Sequence, residues 1–244
     1  MQKHLFWFIF FFSAITSFAQ QNVTTFGVQL KPVLPLSFIG ATEEIIQDNG
    51  VNFTLTPRSG FSFGMVARHG FTKMFSIESG INFTRRNFDL SIQDADFIGD
   101  TDIKFVTYDI PVLALLYVQL GEEMFMNAAF GGSISFLPSD WQTTGSYFRH
   151  FSYRTEWLIP SMLANVGFEY RTYDKGYFYI GASYHQPFTD FTTTNVGYYR
   201  SNINNIDGHD AFASFNLDGS YLTLDLRYFF HEDPIRKSQR KKKK

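Results

Sequence analysis

Eight ionisable residues are spaced through the chain in a way that could do chemistry: Lys31, Arg68, Glu78, Asp109, Glu169, Arg171, Asp225 and Arg227. Each sits at an alternate position between apolar residues, on the polar side of a two-residue repeat. Four are basic and four acidic. Such charges, turned toward one another, would either line a small ion path or neutralise themselves in a closed interior. A buried charge without a partner costs several kcal/mol, so a self-neutralising network is the expectation, with Asp109 facing a basic neighbour such as Arg86 or Lys31.

Other groups suggest chemistry less strongly. Asp94, Asp96, Asp100 and Asp102 crowd one short stretch, but no Glu occupies the twelfth position of an EF-hand loop, so a solvated acidic loop is expected rather than a calcium site. His150, His185 and His209, with Ser183 and Asp190 near His185 in sequence, would have to meet in space to form a nucleophile–base pair. No recognisable enzyme motif surrounds them, and the expectation is no enzyme, no catalytic residues, no cofactor and no metal. Trp141, Tyr147, Phe148, Phe151, Tyr153 and Trp157 gather in a third long loop, where they would bind a glycan or a partner or order the loop.

The elements that must position these residues follow from periodicity. In residues 104–120, Val106, Tyr108, Ile110, Val112, Ala114, Leu116 and Val118 alternate with Phe105, Thr107, Asp109, Pro111, Leu113, Leu115, Tyr117 and Gln119. This predicts a long strand with one apolar face. The same alternation recurs around Phe26–Leu34, Phe61–Arg68, Phe75–Thr84, Met124–Ser135, Leu158–Arg171, Phe178–His185 and Leu222–Phe230. Eight strands of roughly ten residues suit tilted membrane-spanning strands. Tight turns are expected at Gly70–Lys73, Gly121–Glu123 and Thr172–Gly176, and long loops at 37–58, 88–103, 137–156 and 189–214. Short and long connections therefore alternate, as in outer-membrane barrels.

The polar face decides against a soluble barrel with apolar residues inside. It mixes Gly27, Gly64, Gly80, Gly131, Gly167 and Gly181 with the eight charges, which suits a narrow lumen. Phe71, Trp157, Tyr170, Tyr177, Phe188, Tyr221 and Tyr228 near strand ends would form interfacial girdles. Pro111 in a closed sheet forfeits a ladder bond and should mark a bulge or bend.

Residues 1–19 read as a secretory signal peptide ending in Ser17-Phe18-Ala19. Residues 20–230 form the barrel domain. Residues 231–244 form a basic periplasmic tail, whose seven Lys/Arg against Glu232 and Asp233 give +5. Between leader and tail, 13 basic residues face 21 acidic ones, or −8, which argues against a nucleic-acid-binding body. There is no cysteine, hence no disulfide and no thiolate metal site.

The run Tyr108-Asp109-Ile110-Pro111, followed by Val112-Leu113, resembles the acidic-Ile-Pro-Leu segment of small gram-negative outer-membrane β-barrel proteins of the porin-like or PorT-like family, which more often carry Glu at the Asp109 position. The terminal Tyr228-Phe229-Phe230 resembles the signal read by the barrel-insertion machinery, although here the chain continues fourteen residues beyond it. Members of that family have varied roles, and one group belongs to a secretion machinery.

The sequence thus predicts an all-β, eight-stranded antiparallel up-and-down transmembrane β-barrel in the outer membrane, with periplasmic termini and a plugged lumen. A structural or binding role through extracellular loops or a protein partner is expected. A narrow pore or an accessory subunit of a secretion complex is the alternative, and a rim-site lipid or peptide hydrolase is third. Expected partners are outer-membrane lipid, lipopolysaccharide, the insertion machinery and an outer-membrane or periplasmic protein, with no nucleic acid.

Overall fold

A computed structural model describes residues 23–35, 43–72, 74–172, 175–200, 208–217 and 219–230. The expected leader, the basic tail, Lys73 of the first turn, Tyr173 and Asp174 of the third, and residues 37–42 and 201–207 of the expected long loops lie outside these. The described chain is all β, in thirteen strands: β1 (Thr24–Leu34), β2 (Glu44–Asp48), β3 (Val51–Gly70), β4 (Phe75–Gln93), β5 (Ile98–Gln119), β6 (Met124–Phe136), β7 (Trp141–Thr144), β8 (Phe148–Arg154), β9 (Leu158–Thr172), β10 (Gly176–Pro187), β11 (Thr192–Tyr198), β12 (Ala211–Leu217) and β13 (Tyr221–Phe229).

Eight of these form an antiparallel ring in the order β1-β13-β10-β9-β6-β5-β4-β3, which closes because β1 also pairs with β3. At the join Val28 lies opposite Met65 on one side and Tyr228 on the other. Neither edge of the ring is left with unpaired backbone. The faces follow the sequence reading. Phe26, Val28 and Leu30 point outward from β1, while Gln29 and Lys31 are buried inside. Ile110, Val112, Leu116 and Val118 point outward from β5, while Thr107, Asp109, Leu113 and Leu115 point inward.

The remaining five strands were not legible as strands, and here the expected long loops are corrected. The stretch 88–103 is the distal end of a hairpin, with β4 running 19 residues and β5 running 22. The stretch 37–58 holds β2 and the start of β3, a strand of 20 residues. The stretches 137–156 and 189–214 contribute β7, β8, β11 and β12, which form a second sheet in the order β12-β11-β8-β7. This sheet packs on the distal ends of β3, β4 and β5 through a core that includes Val51, Phe53, Leu90, Ile92, Ile103, Phe191, Val196, Ala213 and Phe215. The inward face of the long strands thus changes character along its length: in β4, Glu78, Asn82, Thr84 and Arg86 give way to Phe88, Leu90 and Ile92. A polar ring interior becomes an apolar sandwich interior, so the same alternation builds two different environments.

β3 needs a correction of phase to join both. Its inward residues are Ser62, Val66 and Arg68 in the ring but Val51, Phe53 and Leu55 in the lobe, an even series against an odd one with Val66 on the even side. One extra residue between Arg58 and Phe61 makes the switch, a β-bulge opposite Arg85–Asn87. Gly60 sits in it, where an added Cβ would lie 2.1 Å from the Arg85 carbonyl oxygen. The irregularity expected at Pro111 is milder. The β4–β5 ladder lapses opposite Gly80 and Ile81 and resumes in the same register, with no bulge. The Ser79 hydroxyl donates to the Pro111 carbonyl at 2.8 Å.

Phe215 is fully buried between the two distal sheets. Phe215→Ala should destabilise the lobe by about 3–5 kcal/mol through lost burial and the cavity left behind. Limited proteolysis should then cut within β7, β8, β11 or β12 while the ring keeps its heat-modifiable gel mobility.

Candidate functional site

The ring interior gathers seven of the eight expected charges into one chain. Lys31 Nζ lies 3.4 Å from Asp225, and Asp225 lies 2.5 Å from Arg227. Arg227 pairs with Glu78, which lies 2.9 Å from Arg68. Arg68 pairs with Glu169, which accepts from Arg171 at 2.6 Å. Four cations alternate with three carboxylates along this path. Neutral donors supply the rest. Asp225 accepts from Ser183 at 2.6 Å, from Thr223 at 2.6 Å and from the Asn165 amide at 3.1 Å.

Aromatic rings press on the guanidinium groups. Arg68 lies 3.9 Å from the Phe229 ring centre, Arg171 lies 4.0 Å from Phe125, and Arg227 lies 4.7 Å from Tyr179. Tyr179 reaches across two glycines to donate to Asn165 at 2.8 Å. Added Cβ atoms at Gly167 and Gly181 would sit 2.4 and 2.1 Å from its hydroxyl oxygen, so small residues make room for a large one. Arg68, Glu78, Glu169, Asp225 and Arg227 are each at most 4% exposed. The network runs from Arg171, near the end of β9, to Lys31 on β1, and Leu113, Leu115, Phe125, Ala129 and Leu163 form an apolar cluster on β5, β6 and β9.

Asp109 is the exception, and its expected basic neighbour is corrected. It accepts from the Thr84 hydroxyl at 2.5 Å, and its other oxygen has no hydrogen-bond partner. Lys31 is committed to Asp225. Arg86 donates to the Gly219 carbonyl at 2.8 Å and stacks 3.8 Å from the Phe191 ring centre. Asp109 is thus left out of the network although Lys31 sits in the neighbouring row, opposite Ser62, because the cations that could reach it are held by other partners.

The histidines do not assemble with the serine and aspartate expected beside them. Ser183 donates to Asp225, and His185 stacks on Tyr221 with ring centres 4.3 Å apart. His209 packs on Phe212. His150 is buried inside the lobe, its Nε2 2.6 Å from the Ser152 hydroxyl, which lies 2.7 Å from Thr194. Two of the four loop carboxylates, Asp94 and Asp102, have specific partners. Asp94 accepts from Arg200 at 2.8 Å and from the Ala95 N–H at 2.8 Å, and these bonds hold its carboxyl below the usual range. Arg200 also donates to the Asn49 carbonyl at 2.9 Å, tying the tips of three hairpins together. Asp102 pairs with Lys104.

Five of the seven girdle aromatics face outward: Phe71, Trp157, Tyr170, Phe188 and Tyr228. Tyr177 and Tyr221 are corrected, since they face the interior beside Arg171 and Arg86. At the short-turn end Tyr228 donates to the Lys175 carbonyl and Tyr170 to Glu123, each at 2.5 Å. Where ring meets lobe, a cavity of about 310 Å³ is lined by Val33, Leu55, Arg86, Phe88, Leu217 and Tyr221.

The fold these features define is shared with outer-membrane proteins. The chain is similar to the crystal structure of the outer membrane protein OprG from Pseudomonas aeruginosa, with a TM-score of 0.57 and 11% identity over 88% of this chain and 98% of that one. It also matches the outer membrane protease OmpT from Escherichia coli, with a TM-score of 0.34 and 10% identity over 89% and 99% of the two chains. Comparisons with protein-family models and with curated proteins give no match. The expectation that the chain is not an enzyme is corrected by the protease among these structures, although a TM-score of 0.34 carries no catalytic assignment.

Two outcomes follow for the site. Glu78 links Arg68 and Arg227, so Glu78→Ala leaves the four cations of the network with two carboxylates and should cost about 3–5 kcal/mol, read from urea unfolding of the refolded protein in detergent. Burial pushes the His150 imidazole down to about 4. The unfolded chain titrates near 6.5, so below that pH it takes up a proton that the folded lobe refuses. Stability should be unaffected above pH 6.5 and fall by up to roughly 3 kcal/mol as pH drops toward 4. His150→Gln should remove that slope in pH-resolved unfolding of the lobe.

Proposed function

We propose that this protein is an outer-membrane β-barrel with a closed lumen and an extracellular lobe that carries its binding role. The observation that supports it most is the charge chain from Lys31 to Arg171, buried inside a ring whose outer face is apolar. In water such an outer face would be a liability; in lipid it is the required surface, and the closed ladder satisfies the backbone there. Along β5 and the residue just past its end, the outward apolar series runs from Tyr108 to Leu120. Twelve residue steps are about 40 Å of strand, and a tilt of about 40° projects this to about 30 Å, the scale of a hydrocarbon core.

In this reading the short turns and both termini are periplasmic, and the lobe stands outside the cell. Lipid and lipopolysaccharide contact the outer belt, and the insertion machinery reads the last strand. Within the lobe the outward face of the β12-β11-β8-β7 sheet presents Arg149, Phe151, Tyr153, Asn195, Phe212 and Asn216, with Phe151 and Tyr153 stacked. Aromatics among amides on a rigid sheet suit a binding surface better than a mobile loop does. A second reading, an accessory subunit of an outer-membrane secretion complex, rests on the PorT-like run Tyr108–Pro111.

Purified protein in planar bilayers should give no large, stable conductance steps. Stable ohmic channels from the wild type would overturn the closed-lumen reading. Co-purification from native membranes in mild detergent separates a lone barrel from a complex subunit.

A further inference from the structure

The charge left over inside the ring points to a site of its own. Asp109 is 3% exposed, accepts one hydroxyl, and has a carboxylate oxygen with no partner. Every other lumen carboxylate meets at least two cations. An unbalanced buried carboxylate costs several kcal/mol, so something must offset it.

The register shows what surrounds it. Gln29 of β1 lies opposite Gly64 of β3, Gly64 opposite Asn82 of β4, Asn82 opposite Asp109 of β5, and Asp109 opposite Ser135 of β6. This is one continuous row across five strands of the ring, all turned inward. Because Gly64 has no side chain, Gln29 reaches over it to donate to Asn82 at 2.5 Å. That bond leaves the Gln29 carbonyl oxygen buried and without a partner. One step along the lumen, Ser133 is 5% exposed and its hydroxyl is also unpartnered. Ser62 and Thr84 share a 2.8 Å hydroxyl contact beside Asp109. In this row and at Ser133 the groups left over are oxygens: one carboxylate oxygen, one amide carbonyl and one hydroxyl. The Arg86 guanidinium, two residues along β4 from Thr84, is turned toward Phe191 and the Gly219 carbonyl.

We infer that Asp109, with Gln29 and Ser133 beside it, holds a monovalent alkali cation inside the ring. Hard cations take oxygen ligands, and neutral oxygens around a single carboxylate balance one positive charge rather than two. The row that holds Asp109 runs on through Gln29 to Arg227, so the site borders the ion chain without sharing a carboxylate with it. It does not depend on whether the lobe binds a partner.

The test refolds the full chain from urea into detergent micelles in sodium, potassium or choline chloride at equal ionic strength. The thermal midpoint should be higher in sodium or potassium than in choline, by ~3 °C for each kcal/mol of binding. Asp109→Asn should melt at one midpoint in all three salts. Identical wild-type midpoints in the three salts would overturn the proposal, as would an Asp109→Asn variant that keeps the wild-type difference. Wild-type crystals grown in rubidium chloride give a reading that needs no variant. An anomalous peak at the Asp109 carboxylate supports the site, and its absence there refutes it.

Discussion

The pairing of β1 with both β13 and β3 is the constraint on which the rest depends. Closing the sheet satisfies the backbone within the ring and fixes an inside and an outside for every strand. Once closed, eight strands leave an interior wide enough only for their own side chains. Charges placed inside must then find one another, and seven do so in a single alternating path. The aromatic rings on Arg68, Arg171 and Arg227 occupy the space beside that path. Tyr179 over Gly167 and Gly181 shows the same economy, with volume given up on one residue and taken by another.

The lobe solves a different problem with the same strands. β3, β4 and β5 extend past the ring, and beyond it they have no closed circle to pair into. Their inward faces turn apolar and are covered by a second sheet, which makes a sandwich in place of a tube. Arg200 then binds Asp94 and Asn49 at the far tips, so the free ends of the hairpins are held together. What first reads as a set of loops is a folded unit continuous with the ring.

The ring was legible because its alternation is strong and its two faces differ sharply, as in Phe26, Val28 and Leu30 against Gln29 and Lys31. Seven of the eight charges picked out by the same pattern pair inside the ring and Asp109 does not, since a period of two gives the face of a residue and not which partner its neighbours choose. The lobe was not legible for a physical reason. Its strands carry apolar residues on the inner face, such as Phe88, Leu90 and Ile92, where the ring carries polar ones. A reader tracking one polarity loses the strand at the changeover. Short strands such as Trp141–Thr144 add too few residues for any period to register. Tyr177 and Tyr221 misled because a strand end is close to both the interface and the lumen, and parity alone sends them inward.

The bulge between Arg58 and Phe61 gives β3 a property its neighbours lack. It works as a phase shifter: one residue of added length exchanges which side of the ribbon every later side chain visits. Below it the strand is written for an apolar face outside and charge inside; above it, for polar residues outside and apolar ones inside. Two environments are thereby served by one unbroken strand, and the boundary between them is set by a count of residues rather than by their chemistry. A single-residue deletion at this point would leave composition almost unchanged and yet turn Val51, Phe53 and Leu55 inside out.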